Sequence, residues 1–322
     1  MNHQTNIFIV GAGTFGTALA ERLSWNPENR ITLYTIEEHV YNELLNDHKN
    51  STYFPGRQVH SGIIPACTFD DIGSAEVILL TVPSNAIEQV SAVIHPLINP
   101  ESLVVNLAKG FSLEGNLLPE VLPFSRMVSL KGPTFAVEIM NGMPSAFTLG
   151  GSRRDFDLLS KRVFPHTAIT LDHTEDIRGV ELLSILKNAY AISVGIVSGR
   201  YNSPNVDFQV ITKALNEMRE FLSRYHCSSD TVFSYCGIGD LGLTSLNDLS
   251  RNRTLGLLIG KGFYNDMEHR LVIEGMKTVK VIGDDLLQRG EMDTFPLLKG
   301  LYTLMYDHND VHTFCSEVLS LE

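Results

Sequence analysis

From Val180 to Val197 the sequence carries only two charges, Glu181 and Lys187, and the lysine lies within the apolar stripe. Val180, Leu183, Tyr190, Ala191 and Val194 recur around it at helical spacing. A lysine so placed either snorkels from a core helix or sits in a closed site with a lowered pKa. The second reading supplies an acid/base. The ammonium can stabilise and protonate an alkoxide, and the amine can take the proton back, if the pKa falls well below about 10.4. Gly237 and Gly239, in Gly237-Ile238-Gly239-Asp240, suggest a tight backbone that fixes the direction of a carboxylate, Asp240.

A third group is Ser250-Arg251-Asn252. Ser250 is a good N-cap, which puts Arg251 and Asn252 in a first helical turn, where free N–H groups and the dipole favour an anion. An arginine there opposes the dipole unless it has an anionic partner. A phosphate would supply one; an ordinary solvated helix start is the plainer reading of the same three residues.

The elements that must position these side chains fall into two halves. Ile7-Phe8-Ile9-Val10 is a continuous apolar run, as in a strand covered on both faces, and Gly11-Ala12-Gly13-Thr14-Phe15-Gly16 follows it directly into a helical stretch, Thr17 to Leu23. That is G-x-G-x-x-G in its strand-turn-helix context: Gly11 for the tight turn, Gly13 for backbone approach to a pyrophosphate, Gly16 for close packing of helix on strand. Ile31 to Ile36 reads as the second strand, closed by Glu37-Glu38 where an acid would accept the ribose hydroxyls of NAD and repel the 2'-phosphate of NADP. Neither Arg nor Lys stands at that strand end, which favours NAD. Three further strands, Val77–Val82, Leu103–Leu107 and Met127–Leu130, each run into a small or polar loop: Pro83-Ser84, Ala108-Lys109-Gly110 and Lys131-Gly132-Pro133-Thr134. Ser84, Lys109 and Thr134 should therefore line one crevice at the carboxyl ends of a parallel sheet. Ala146–Leu149 and Ala168–Leu171 could add edge strands.

Beyond Asp176 the periodicity turns helical, with candidate helices over Ile177–Ser198, Phe208–Tyr225, Ser250–Lys261, Glu274–Gln288 and Leu297–Asp307, and a loop from Gly199 to Asp207. The expectation is an α/β chain: a Rossmann-like doubly wound sheet over residues 1–176, then an all-helical domain over 177–322. The length suits two domains. The net charge of -12 speaks against nucleic acid and anionic membrane surfaces, and leaves an anionic substrate dependent on a local basic pocket. No apolar run approaches the length of a membrane span, the polar start at Met1–Asn6 does not read as a signal peptide, and Cys67, Cys227, Cys236 and Cys315 lack metal or redox spacing. No metal is expected, and a cytoplasmic location with reduced thiols is.

Taken together, the GAGTFG turn, Val82-Pro83-Ser84, Ala108-Lys109-Gly110, Gly132-Pro133-Thr134-Phe135-Ala136-Val137-Glu138, Gly179-Val180-Glu181 with Lys187-Asn188, Gly237–Leu241 with Thr244, Ser250-Arg251-Asn252 and Glu274-Gly275 resemble the NAD(P)-dependent glycerol-3-phosphate dehydrogenases over nearly the whole chain. The resemblance implies interconversion of dihydroxyacetone phosphate and sn-glycerol 3-phosphate, a precursor for glycerophospholipids, by a cytoplasmic homodimer. It implies Lys187 as the catalytic acid/base, with Lys109 touching substrate and cofactor. Gly132, Thr134, Asp240, Ser250, Arg251 and Asn252 would face the substrate. Gly11, Gly13, Thr14, Phe15, Gly16, Glu37, Pro83, Ala136, Arg251, Val272 and Glu274 would face the dinucleotide. Three departures stand out: Ile36 replaces a frequent basic residue, Tyr34 a common tryptophan, and Asn205-Val206-Asp207-Phe208-Gln209 with Lys213-Ala214 a segment where Arg-Gly is common. A related dehydrogenase of hydroxy or sugar acids, and a dinucleotide-binding paralogue without turnover, are the other two readings.

Overall fold

The structure is a computed structural model; it describes residues 4–263, 274–307 and 310–320. The chain divides into two compact units, Met1–Glu181 and Leu182–Glu322. The boundary thus falls inside a long helix, Ile177–Tyr201, a few residues later than the change of periodicity.

The first unit is an eight-stranded sheet: β1 (Thr5–Val10), β2 (Asn29–Tyr34), β3 (Ile64–Ala66), β4 (Val77–Leu80), β5 (Leu103–Asn106), β6 (Met127–Lys131), β7 (Ser145–Gly150) and β8 (Ile169–Thr174). Its spatial order is β3-β2-β1-β4-β5-β6-β7-β8. All neighbours are parallel except β6 and β7. The first six strands have the doubly wound order, reversing at β1 between β2 and β4, where such folds place a ligand. Period-two alternation explains why the strands are apolar throughout. Ile7, Ile9, Val77, Leu79, Leu103 and Val105 pack into the core on one face, and Phe8, Val10, Ile78, Leu80 and Val104 into a second core on the other.

One expectation in this unit is corrected. The second strand ends at Tyr34, and Ile36 is 85% exposed, because the Glu37 amide donates to the Thr35 hydroxyl at 3.1 Å and turns the chain out of the sheet. The short strand β3 was not legible, since three residues containing a proline carry no periodic signal. Tyr34 itself stacks on Phe69 with ring centroids 4.1 Å apart, a packing role.

Among its described residues the second unit is helical throughout, with no strand. The Gly199–Asp207 loop expected there is instead a two-residue break. The first helix runs to Tyr201 and the next, Pro204–Arg224, starts with proline in its first turn, where the missing N–H costs nothing. Asn202 makes the turn at φ 46°. Asp207 is buried and receives the Ser198 hydroxyl at 3.3 Å; burial raises its pKa. A second correction concerns the membrane: by length and composition the Ile177–Tyr201 helix would suffice to cross one. It is instead a buried core helix, with Glu181 and Lys187 along it.

Glycines set the approach of the Ile177–Tyr201 helix and the Arg251–Gly260 helix. A Cβ on Gly195 would lie 2.4 Å from the Arg253 carbonyl oxygen, and one on Gly256 2.2 Å from that of Ile192. Only hydrogen at these positions permits such backbone contact between the two helices.

Candidate active site

In the first unit the turn after β1 is built for a backbone-held anion. Gly11 has φ 114°, in the region that favours glycine. A Cβ on Gly16 would sit 1.9 Å from the Gly11 carbonyl oxygen, so helix Thr14–Leu23 can pack this closely only through glycine. Gly13 is the N-cap residue and brings no side-chain cap, and a Cβ there would meet nothing within 4 Å. Unmet N–H groups at a helix start beside open space fit the pyrophosphate of a dinucleotide. Thr14 is exposed in that first turn, while the Phe15 ring packs edge-on against Phe147 at 6.3 Å. Sequence reasoning missed what holds the turn. The Thr81 hydroxyl lies 2.9 Å from the Val10 and Gly11 carbonyl oxygens, and the fully buried Asn50 amide donates to the Ala12 carbonyl at 2.8 Å.

Glu37 is half-buried at the start of helix Glu38–Asp47 and accepts the Tyr53 hydroxyl at 2.7 Å. That bond, more than burial, raises the Tyr53 pKa. Pro83 is exposed ahead of helix Ser84–Ile94. The loops after β4, β5 and β6 are knitted together as the crevice argument requires. Gly110, at φ 135°, lies so close to Ser84 that a Cβ would come within 2.8 Å of its hydroxyl oxygen. The Lys109 ammonium donates to the Gly132 carbonyl at 3.3 Å, as does the Thr134 hydroxyl at 3.3 Å. Ala136 opens helix Ala136–Met140 just beyond. Beneath these loops lies a buried ion pair that the sequence reading left without a role, Lys131 with Glu181 at 3.0 Å.

In the second unit Lys187 is 5% exposed and its ammonium donates to Asp240 at 2.7 Å and to the Thr244 hydroxyl at 2.8 Å. Asp240 begins helix Asp240–Leu246 after a π-helical turn, Tyr235–Gly239. A Cβ on Gly237 would fall 2.1 Å from the Val232 carbonyl oxygen, so the glycine lets the turn lie flat on its neighbour. Thr244 stands four residues after Asp240 and so shares its helical face.

Ser250 is the N-cap of helix Arg251–Gly260, its hydroxyl accepting from the Arg253 amide at 3.3 Å. Arg251 is exposed in the first turn, whereas Asn252 turns inward and donates to the Asn188 side chain at 3.0 Å. Asn252 also accepts from the Gly275 amide at 3.2 Å, and Asn188 reaches Glu274 at 3.5 Å. The residue after Lys187 thereby organises both the anion-favouring helix start and the exposed Glu274. Arg253 is structural, bonded to the Ser245 carbonyl and, at 3.2 Å, to Ser198. Val272 lies outside the described residues.

A doubly wound sheet with a glycine turn at its reversal point, followed by a helical unit carrying a buried lysine–carboxylate pair, is the build of a dinucleotide-dependent dehydrogenase. The family model described as NAD-dependent glycerol-3-phosphate dehydrogenase N-terminus matches residues 6–157, and the C-terminus model of the same family matches residues 176–316. The chain belongs to the NAD-dependent glycerol-3-phosphate dehydrogenase family. It is 30% identical over 318 residues to the glycerol-3-phosphate dehydrogenase [NAD(P)+] of Methanothermobacter thermautotrophicus, covering 97% of this chain and 96% of the relative. The crystal structure of glycerol-3-phosphate dehydrogenase from Coxiella burnetii is 26% identical, with a TM-score of 0.85 over 98% of this chain and 99% of that one. The Plasmodium falciparum glycerol-3-phosphate dehydrogenase, 20% identical with a TM-score of 0.87 over 99% of this chain and 96% of that one, shares the fold.

Proposed function

We propose that the protein is an NAD(P)-dependent glycerol-3-phosphate dehydrogenase that interconverts dihydroxyacetone phosphate and sn-glycerol 3-phosphate, with Lys187 as acid/base. The family match through both units carries this reading. The first unit would hold the dinucleotide through Gly11, Gly13, Thr14, Phe15, Gly16, Glu37, Pro83 and Ala136, and the second would handle the substrate. When bound, the nicotinamide supplies or accepts the hydride at C2 of the substrate.

The chain's own residues do the rest. Reduction leaves negative charge on the C2 oxygen, and the Lys187 ammonium stabilises and then protonates it. Asp240 and Thr244 aim the ammonium, which removes the need to order it during reaction. Lys109, with Gly132 and Thr134, contacts the substrate, and Lys109 reaches the cofactor as well. Arg251, Asn252 and the capped helix start would hold the phosphate, far from the reacting carbon, and binding energy gained there pays for orientation. Glu37, with an acid and no cation at the strand end, favours NAD over NADP. The same reading includes a cytoplasmic homodimer that supplies phospholipid synthesis, a proposal supported by the family resemblance alone.

The test is the fall in NADH absorbance, and separately NADPH absorbance, when dihydroxyacetone phosphate is added to the purified protein. NADH oxidation exceeding NADPH oxidation is expected. Preferred use of NADPH would remove Glu37 from its role, and no oxidation of either would remove the activity.

A further inference from the structure

We propose that the buried Lys131–Glu181 pair is a positioning device for Lys109, acting through the backbone of residues 106–108. The inference rests on the reading of Lys109 as a cation that contacts substrate.

Lys131 is the last residue of β6 and Asn106 the last of β5. The Lys131 ammonium lies 3.0 Å from Glu181 and donates to the carbonyl oxygens of Asn106 at 3.1 Å and Ala108 at 2.6 Å. Glu181 accepts in turn from the Asn106 amide at 2.8 Å and from the Ser129 hydroxyl. The Asn106 side-chain oxygen takes the Ala108 amide at 3.1 Å. Both polar backbone groups of Ala108 are therefore held, immediately before Lys109. The Lys109 ammonium then reaches the Gly132 carbonyl, on the residue that follows Lys131. One buried ammonium thus pins the root of the Lys109 side chain, and its own backbone leads directly into the carbonyl that Lys109 touches.

Stability alone does not call for charges here. Lys131 and Glu181 are both 0% exposed, and a buried ion pair is commonly no more stabilising than an apolar pair of similar volume. An ammonium does, however, offer three N–H bonds to acceptors that arrive from different directions. It can satisfy carbonyls that point beyond the last ladder bonds of the strands, which an apolar side chain cannot. The pair sits at the carboxyl end of the sheet, where loops bind ligands, rather than at its middle. A cation rooted in a fixed loop is already ordered when substrate arrives, and that advantage is lost in a loop that samples several conformations.

The experiment replaces both charges together (Lys131→Met with Glu181→Gln), so that neither is left buried alone, in wild-type and Lys109→Ala backgrounds. Two quantities are read: kcat/KM for dihydroxyacetone phosphate with NADH, and amide hydrogen exchange of residues 107–111. In the wild-type background kcat/KM should fall about tenfold, while in the Lys109→Ala background the same change should alter it by less than about twofold. Exchange should quicken at residues 107–111 and stay slow in β4 and β5. Asn106→Ala, which removes the acceptor of the Ala108 amide and keeps Lys131, should repeat the pattern at smaller size should the paired variant fold poorly. Equal losses in both backgrounds, or unchanged exchange in the loop, would overturn the proposal. A wild-type protein that oxidises no NADH would instead overturn the functional reading, and loop exchange would still decide the role of the pair.

Discussion

Each unit of this chain buries one lysine against a carboxylate, and the two ammonium groups differ in what else they touch. Lys131 is sealed, and beyond Glu181 its partners include two backbone carbonyls. Lys187 keeps 7% of its side chain exposed, and beyond Asp240 its partners include the Thr244 hydroxyl. A carbonyl only accepts hydrogen bonds, so a proton lost from Lys131 would leave an acceptor buried without a donor. A hydroxyl can turn: it accepts from the ammonium and can donate once the lysine is an amine. The first pair is built to keep its charge and hold backbone in place. The second has a partner that can serve either protonation state of the lysine, as the proposed acid/base role needs.

The two pairs should differ most in their contribution to stability. Lys131→Met leaves Glu181 buried without its cation and should cost about 3–5 kcal/mol, read as a lowered urea midpoint, while the paired replacement with Glu181→Gln should recover most of it. Lys187→Met should cost less than half as much, because Asp240 keeps the Thr244 hydroxyl at 3.4 Å, whereas Lys131→Met also removes the donor to two buried backbone carbonyls. Equal losses at the two lysines would erase the distinction.

A carboxylate held mainly by neutral donors sharpens it. Glu217 accepts from the Leu297 and Leu298 amides and the Tyr190 hydroxyl, and burial raises its pKa to about 7 in spite of them and of nearby Lys213. A folded-state pKa above the unfolded value means that the folded form binds the extra proton. Stability from this group is then complete below the unfolded pKa of about 4.5 and is lost as pH rises toward 7, by at most about 3 kcal/mol. Glu217→Gln should flatten the decline in urea midpoint between pH 5 and pH 7.5, and an unchanged slope would show that other groups cause it.

Lys187 was legible because a charge interrupted an apolar helical stripe, and the glycine turn because its spacing serves only a few purposes. Lys131 carried the same kind of signal, a charge ending the apolar run Met127–Leu130, as did Glu181, yet nothing in sequence joins residues fifty positions apart across strand ends. Thr244 was legible with the Gly237–Leu241 motif, but its bond to Lys187 was not. Asn50 and Tyr53 could not, since they come from an irregular stretch whose only local message is a turn. The early start of the Pro204 helix was hidden for the opposite reason: Asn, Ser and Pro favour loops and helix starts alike, and tertiary packing around Asp207 decides between them.

Whether Lys187 moves the proton is decided by Lys187→Met under saturating NADH and dihydroxyacetone phosphate, with NADH affinity measured alongside by fluorescence. A fall in kcat of about 10²–10⁴-fold is expected, with NADH affinity within about threefold of wild type. A variant that binds NADH normally and keeps more than about a tenth of wild-type kcat would take the acid/base role away from Lys187.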